Sequence, residues 1–114
     1  MIPSPGRIVE YTLTEQDAQE IERRRQDARA ALDWHRENKT GAVVHVGNPT
    51  KAGDNYPLVI TRVWSNPYGA AEDTAVNGQV LLDGNDTLWV TSVQQGDGER
   101  HWREFSRVGV KEPR

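Results

Sequence analysis

From Glu15 to Lys39 the chain contains neither Pro nor Gly, and Ala, Arg, Glu and Gln dominate the run. Such a stretch predicts one helix of about 24 residues, about 36 Å long at 1.5 Å per residue. Thr14 stands before it as a cap, and Asp17, three residues on, is spaced to reach back in a capping box. Glu15, Asp17, Glu20 and Glu22 come early and Arg36 and Lys39 late, the order the helix dipole favours. Glu20 and Arg24 are spaced to pair at i,i+4. Gly41 stops the segment, so the helix is predicted within residues 14–40.

The apolar stripe of this helix is thin: Ala18, Ile21, Ala28 and Leu32, with Trp34 and His35 at its end. So thin a stripe cannot sit inside a core. It predicts a helix laid across one side of a β body, or paired with a second copy, and helices of marginal propensity need such packing. A homo-oligomer through residues 14–40 is therefore expected. The triple Arg23-Arg24-Arg25, among many acids, reads as a solvated helix face.

Both flanks of the helix have strand chemistry. In residues 7–13, Val9, Tyr11 and Leu13 alternate with Glu10 and Thr12, the pattern of a half-buried strand. "AVVHV" (42–46) reads as a short strand ended by Gly47-Asn48-Pro49, and residues 50–55 as a loop. "PLVITRVW" (57–64) is rich in β-branched residues and is the most strand-like run. Residues 65–78, with Pro, Gly and small residues and no period, read as a mobile loop. "QVLLDGNDTLWVTSV" (79–93) reads as a hairpin on an Asp83-Gly84-Asn85-Asp86 turn, followed by a Gly96-Asp97-Gly98 turn and a last strand over 99–105.

A chain of 114 residues fits one domain over 1–114. The prediction is α+β: strand 7–13, helix 14–40, an antiparallel β body over 42–105 and a tail at 106–114. Tight turns close such a body most economically into a small barrel or rolled sheet of about six strands, SH3-like or OB-like, with the helix inserted after the first strand.

Several function classes are disfavoured by residue usage. Fourteen Lys plus Arg against 17 Asp plus Glu give −3, which argues against general nucleic-acid or membrane binding. With no cysteine there are no disulfides, zinc thiolates or thiol catalysis. No run of 18 apolar residues is present, and the first 13 residues do not read as a signal peptide. The Asn85-Asp86-Thr87 glycosylation triplet is read as chance. His35, His45 and His101 fall on different predicted elements, so no metal site or cofactor is expected. Ser65, Ser92 and Ser106 lie in no nucleophile motif, and Asp83 and Asp86 bracket a turn, where Asp serves backbone hydrogen bonds. The expectation is a non-enzymatic protein.

The aromatics point to binding. Four Trp is a high count for so short a chain. Arg62 and Trp64 are two apart on one strand, hence on one face, and His101 and Arg103 flank Trp102. Aromatic planes beside Arg forks stack bases and hold phosphates. Arg62, Trp64, Trp102, Arg103, His101 and Trp89 are the candidate ligand-binding residues, Trp89 being expected to anchor its hairpin in the core.

"GRIVEYTL", "GDNYPLVITRVW", "NGQVLLDGNDTLWVTSV" and the closing "HW" resemble a family of small proteins encoded by actinobacterial bacteriophages and prophages, over most of residues 6–103. The closing segment "HWREF" has fewer Trp than that pattern. The resemblance carries no activity or catalytic residues. It implies a phage product in the cytoplasm of a host bacterium. In that setting the expected function is sequestration of a small nucleotide signal of bacterial anti-phage immunity. The alternatives are a module that inhibits or redirects a host protein, and a minor structural phage component.

Overall fold

The computed structural model describes residues 2–41, 45–64 and 74–105. Strand β1 (Ile8–Thr12) leads into helix α1 (Glu15–Glu37). Strands β2 (Asn55–Trp64), β3 (Ala75–Leu81), β4 (Thr87–Gln95) and β5 (His101–Arg103) follow. The strands close a barrel in the order β1-β2-β3-β4-β5. The architecture is the predicted α+β barrel with one long helix after the first strand, with five strands rather than six. Neighbours in sequence are neighbours in the barrel, which is the SH3-like and not the Greek-key OB arrangement.

The barrel is mixed rather than wholly antiparallel. β1–β2, β2–β3, β3–β4 and β1–β5 run antiparallel, while β4 and β5 pair in parallel through Gln94–His101 and Gln95–Trp102. A ring with an odd number of strands cannot alternate direction all the way round, so one pair must be parallel. Both pairs made by β5 are short, and β5 is correspondingly brief, covering His101–Arg103 instead of 99–105.

Of the expected strand at 42–46, residues 42–44 lie outside the described residues, and His45 and Val46 are not in a strand. Of the expected loop at 65–78, residues 65–73 lie outside them, whereas Ala75–Gly78 belong to β3. The expected tail, 106–114, is also outside.

Thr14 has extended backbone (φ −88°, ψ 169°) and caps α1. Its hydroxyl accepts the Asp17 N–H at 3.0 Å, and Asp17 Oδ2 accepts the Thr14 N–H at 3.0 Å. At the far end the helix stops before Gly41. Lys39 takes the left-handed conformation (φ 48°), and the Lys39 and Thr40 N–H groups turn back to the Arg36 and His35 carbonyls.

The core fills the barrel with Val9, Tyr11, Leu58, Ile60, Val76, Val80, Leu88, Val90, Val93 and Trp102. Ile21 enters it from α1, so the first half of the helical stripe packs within the chain. Burying a side chain of that size stabilises by about 1.5–3 kcal/mol, enough to hold the first turns of α1 in place. Along the second half, Ala28, Leu32 and His35 are half-buried and Trp34 is exposed.

Gly78 of β3 packs tightly against β2. A Cβ there would stand 2.5 Å from Leu58 Cδ2 and 2.5 Å from the Val59 carbonyl oxygen.

Candidate functional site

Arg62 and Trp64 leave β2 on one face, as their spacing predicts, and they meet. The guanidinium carbon lies 4.0 Å from the indole centroid, a stacked cation–π pair. Two irregularities in the sheet put them there. The β2–β3 register shifts between Ile60 and Arg62, and the β3–β4 register shifts between Val76 and Gly78, so both bulges converge on Asn77. Bulges of this kind re-aim side chains.

Asn77, buried between the strands, fixes the result. Its Oδ1 accepts the Trp64 ring N–H at 3.0 Å and the Ser92 N–H at 2.8 Å, and its carbonyl accepts the Thr61 hydroxyl at 3.2 Å. Ser92 is in the left-handed region (φ 53°), a strained place for a residue with a side chain. The indole is therefore held while 43% of its surface remains open. Arg62 is exposed and makes no hydrogen bond among the described residues, so its fork is open to an oxyanion.

The remaining candidates do not join this platform. Trp102 is 0% exposed inside the barrel, paired across the sheet with Tyr11. It is a core residue and no part of a pocket wall, because odd positions of β1 and the centre of β5 face inward together. Its ring N–H has no acceptor among the described residues. Arg103 bridges the barrel wall: Nε donates to Glu10 at 3.0 Å and Nη2 donates to Asn55 at 3.1 Å and to the Thr12 hydroxyl. His101 Nδ1 lies 2.9 Å from the Glu99 carbonyl oxygen. The prediction that Trp89 anchors its hairpin in the core is overturned. Leu88 and Val90 point inward, so Trp89 between them points out and is 61% exposed.

In the Arg triple, Arg23 and Arg24 are exposed as read, and Arg25 departs from the reading as a solvated face. Arg25 is 2% exposed and paired with Asp86 at 3.1 Å, and it donates to the Asn48 carbonyl. Hydrogen bonding to Arg25, more than its charge, holds the Asp86 carboxyl below the ordinary range against the opposing effect of burial. Gly47 and Gly84 let two loops meet over this guanidinium, since a Cβ on Gly47 would lie 2.5 Å from Arg25 Nη2.

A groove of about 470 Å³ runs between the first turns of α1 and β4. Glu15 and Glu20 line it with Trp89, Thr91 and Arg100. Beneath it the Tyr11 hydroxyl donates to Asp17 Oδ2 at 2.6 Å. Burial, then this hydrogen bond, pushes the Tyr11 phenol well above its ordinary range, with Arg100 pulling the other way. Outside the barrel, cross-strand pairing places Ile8, Val59, Gln79 and Trp89 in one row. Ile8 and nearby Leu81 are exposed, which makes this wall unusually apolar.

Sequence reasoning missed Asn77, because residues 65–78 read as a loop without a period whereas Asn77 and Gly78 belong to β3. It also missed the groove, whose parts come from segments far apart in the chain. Among the described residues no group of three His, Cys, Asp or Glu side chains is placed to hold a metal ion, and no helix is long and apolar enough to cross a membrane. Comparison with protein-family models, with curated proteins and with solved structures found no match to this chain.

Proposed function

We propose that the chain is a non-enzymatic binding protein for a small nucleotide, which it takes on the Arg62–Trp64 platform. The observation that carries this reading is a fixed, half-open indole with an Arg fork stacked at 4.0 Å and free of hydrogen bonds among the described residues. A nucleotide offers the two complementary parts, a flat base for the aromatic–guanidinium stack and a phosphate for the fork. The strained Ser92 and the two bulges support the same reading, since strain of this kind gathers at binding sites. The resemblance to small phage proteins supplies the setting we propose: a host bacterial cytoplasm, where holding a nucleotide signal of anti-phage immunity would blunt that immunity.

Calorimetric titration with mononucleotides, ADP-ribose and cyclic dinucleotides tests it. A stacked base contributes about 1–3 kcal/mol and a charge-assisted hydrogen bond about 1.5–3 kcal/mol. Trp64→Ala and Arg62→Ala should each weaken binding about tenfold or more, at 1.4 kcal/mol per decade. A parent protein that binds none of these ligands overturns the reading. So do two folded variants that bind as the parent does.

A further inference from the structure

We infer that the groove between the first turns of α1 and β4 docks a segment of a partner protein that presents Arg or Lys side chains. This site is separate from the Arg62–Trp64 platform and uses different residues. Its wall is Trp89, with 61% of its surface open and its ring N–H unpartnered among the described residues. A Trp left this bare beside a groove of about 470 Å³ has the exposed apolar area that marks interaction surfaces. Its ring face attracts a guanidinium or ammonium group.

Charge selects the occupant. Glu15, Asp17 and Glu20 face one guanidinium, that of Arg100, across the groove. Glu15 receives only a Gln19 amide at 3.3 Å, and Glu20 makes no ion pair among the described residues. Arg100, itself exposed, is the one cation among the residues that line the groove. A helix N-terminus ordinarily favours an anion. Here the first turn carries the Glu15 and Asp17 carboxylates, so a phosphate would meet like charge. A cationic side chain over Trp89 meets Glu15 and Glu20 in the same groove. The row from Ile8 through Val59 to Trp89 continues the surface across the barrel wall and suits apolar residues flanking the cation.

The test uses the full chain, labelled with ¹⁵N and titrated with a synthetic peptide carrying several Arg residues spaced by Leu and Pro. A matched peptide has Glu in place of Arg. The Trp89 indole N–H signal, assigned by its loss in Trp89→Phe, should move with the Arg peptide and stay with the Glu peptide. Trp89→Ala should weaken binding about tenfold, corresponding to about 1.4 kcal/mol. Glu20→Gln and Glu15→Gln should each weaken it severalfold, raised salt should weaken it further, and Trp64→Ala should leave it unchanged. No movement with the Arg peptide overturns the proposal, as does equal movement with the Glu peptide or a folded Trp89→Ala that binds as the parent. Sedimentation showing self-association that Trp89→Ala abolishes would place a second copy in the groove and also overturn it.

Discussion

Arg25 donates from Nε to Asp86 at 3.1 Å, and this pair fastens the middle of the helix to the turn between β3 and β4. The two residues are 61 apart in sequence. Removing the carboxylate leaves a guanidinium that is 2% exposed without its counter-charge. Breaking a fully buried pair costs about 3–5 kcal/mol, and Asp86 is partly open to water, so Asp86→Asn should cost about 2 kcal/mol. Urea unfolding measures it. A loss near zero would mean that the Ile21 contact and the remaining hydrogen bonds hold the helix without this charge pair.

The same pair sets an acid limit on stability. Asp86 titrates lower in the folded chain than in the unfolded one. Its contribution is therefore complete above the unfolded value of about 4 and is lost as pH falls through the lower folded value. Stability should be insensitive to this group from neutrality to about pH 5 and should fall below about pH 4. In Asp86→Asn that part of the acid decline should disappear.

Tyr11 imposes the opposite limit. Its phenol is raised in the folded state, so the stabilisation is whole below about pH 10 and drains away as pH climbs toward the folded value. Tyr11→Phe should flatten the alkaline decline in part, since Tyr56 is raised in the same direction, chiefly by burial. The substitution also takes a donor from the buried Asp17 carboxylate, at a cost of about 1–3 kcal/mol near neutrality. Melting curves of both proteins across the alkaline range separate the two effects.

Gly78 tests how tightly the barrel closes. An added methyl would press on the Val59 carbonyl oxygen, which belongs to backbone and cannot swing aside. Overpacking of a core costs about 1–3 kcal/mol, and Gly78→Ala should reach at least the upper part of that range. A variant with an unchanged melting temperature would show that β2 and β3 can part at this point.

The parts of this fold legible in the sequence are those set by local chemistry. Thr14, Asp17 and a breaker-free run specify α1 whatever it packs against. Arg62 and Trp64 share a face because strand parity puts them there, and parity is local too. The size of Trp89 suggests a core anchor, but the same parity decides its place: Leu88 and Val90 on either side fix the inward face of β4. Arg25 was illegible for a different reason. A charge run looks solvated until the fold brings Asp86 and the Asn48 carbonyl to it, and nothing within the helix announces them. The groove is of the same kind, since Glu15, Trp89 and Arg100 meet only after the barrel closes.

Asn77 is the residue on which the proposed nucleotide platform depends without touching the ligand. One oxygen takes the Trp64 ring N–H and the Ser92 N–H, so it ties the indole to the strained residue at the β3–β4 bulge. In Asn77→Ala both donors lose their acceptor, and an unpartnered buried N–H costs about 1–3 kcal/mol. The variant should melt earlier yet remain folded. Arg62 and Trp64 would be intact, but the indole would sample other rotamers, and a site that must be ordered at the moment of binding loses affinity by the ordering cost, about 0.5–1.5 kcal/mol per side chain. Nucleotide binding should therefore weaken severalfold below the transition, less than in Trp64→Ala. Ser92→Gly works in the other direction: it relieves the left-handed strain, leaves the Asn77 bond in place, and should bind as the parent does. Unchanged affinity in a folded Asn77→Ala would show that Trp64 needs no support from the bulge, and the strain at Ser92 would then serve the closure of the barrel and not the ligand.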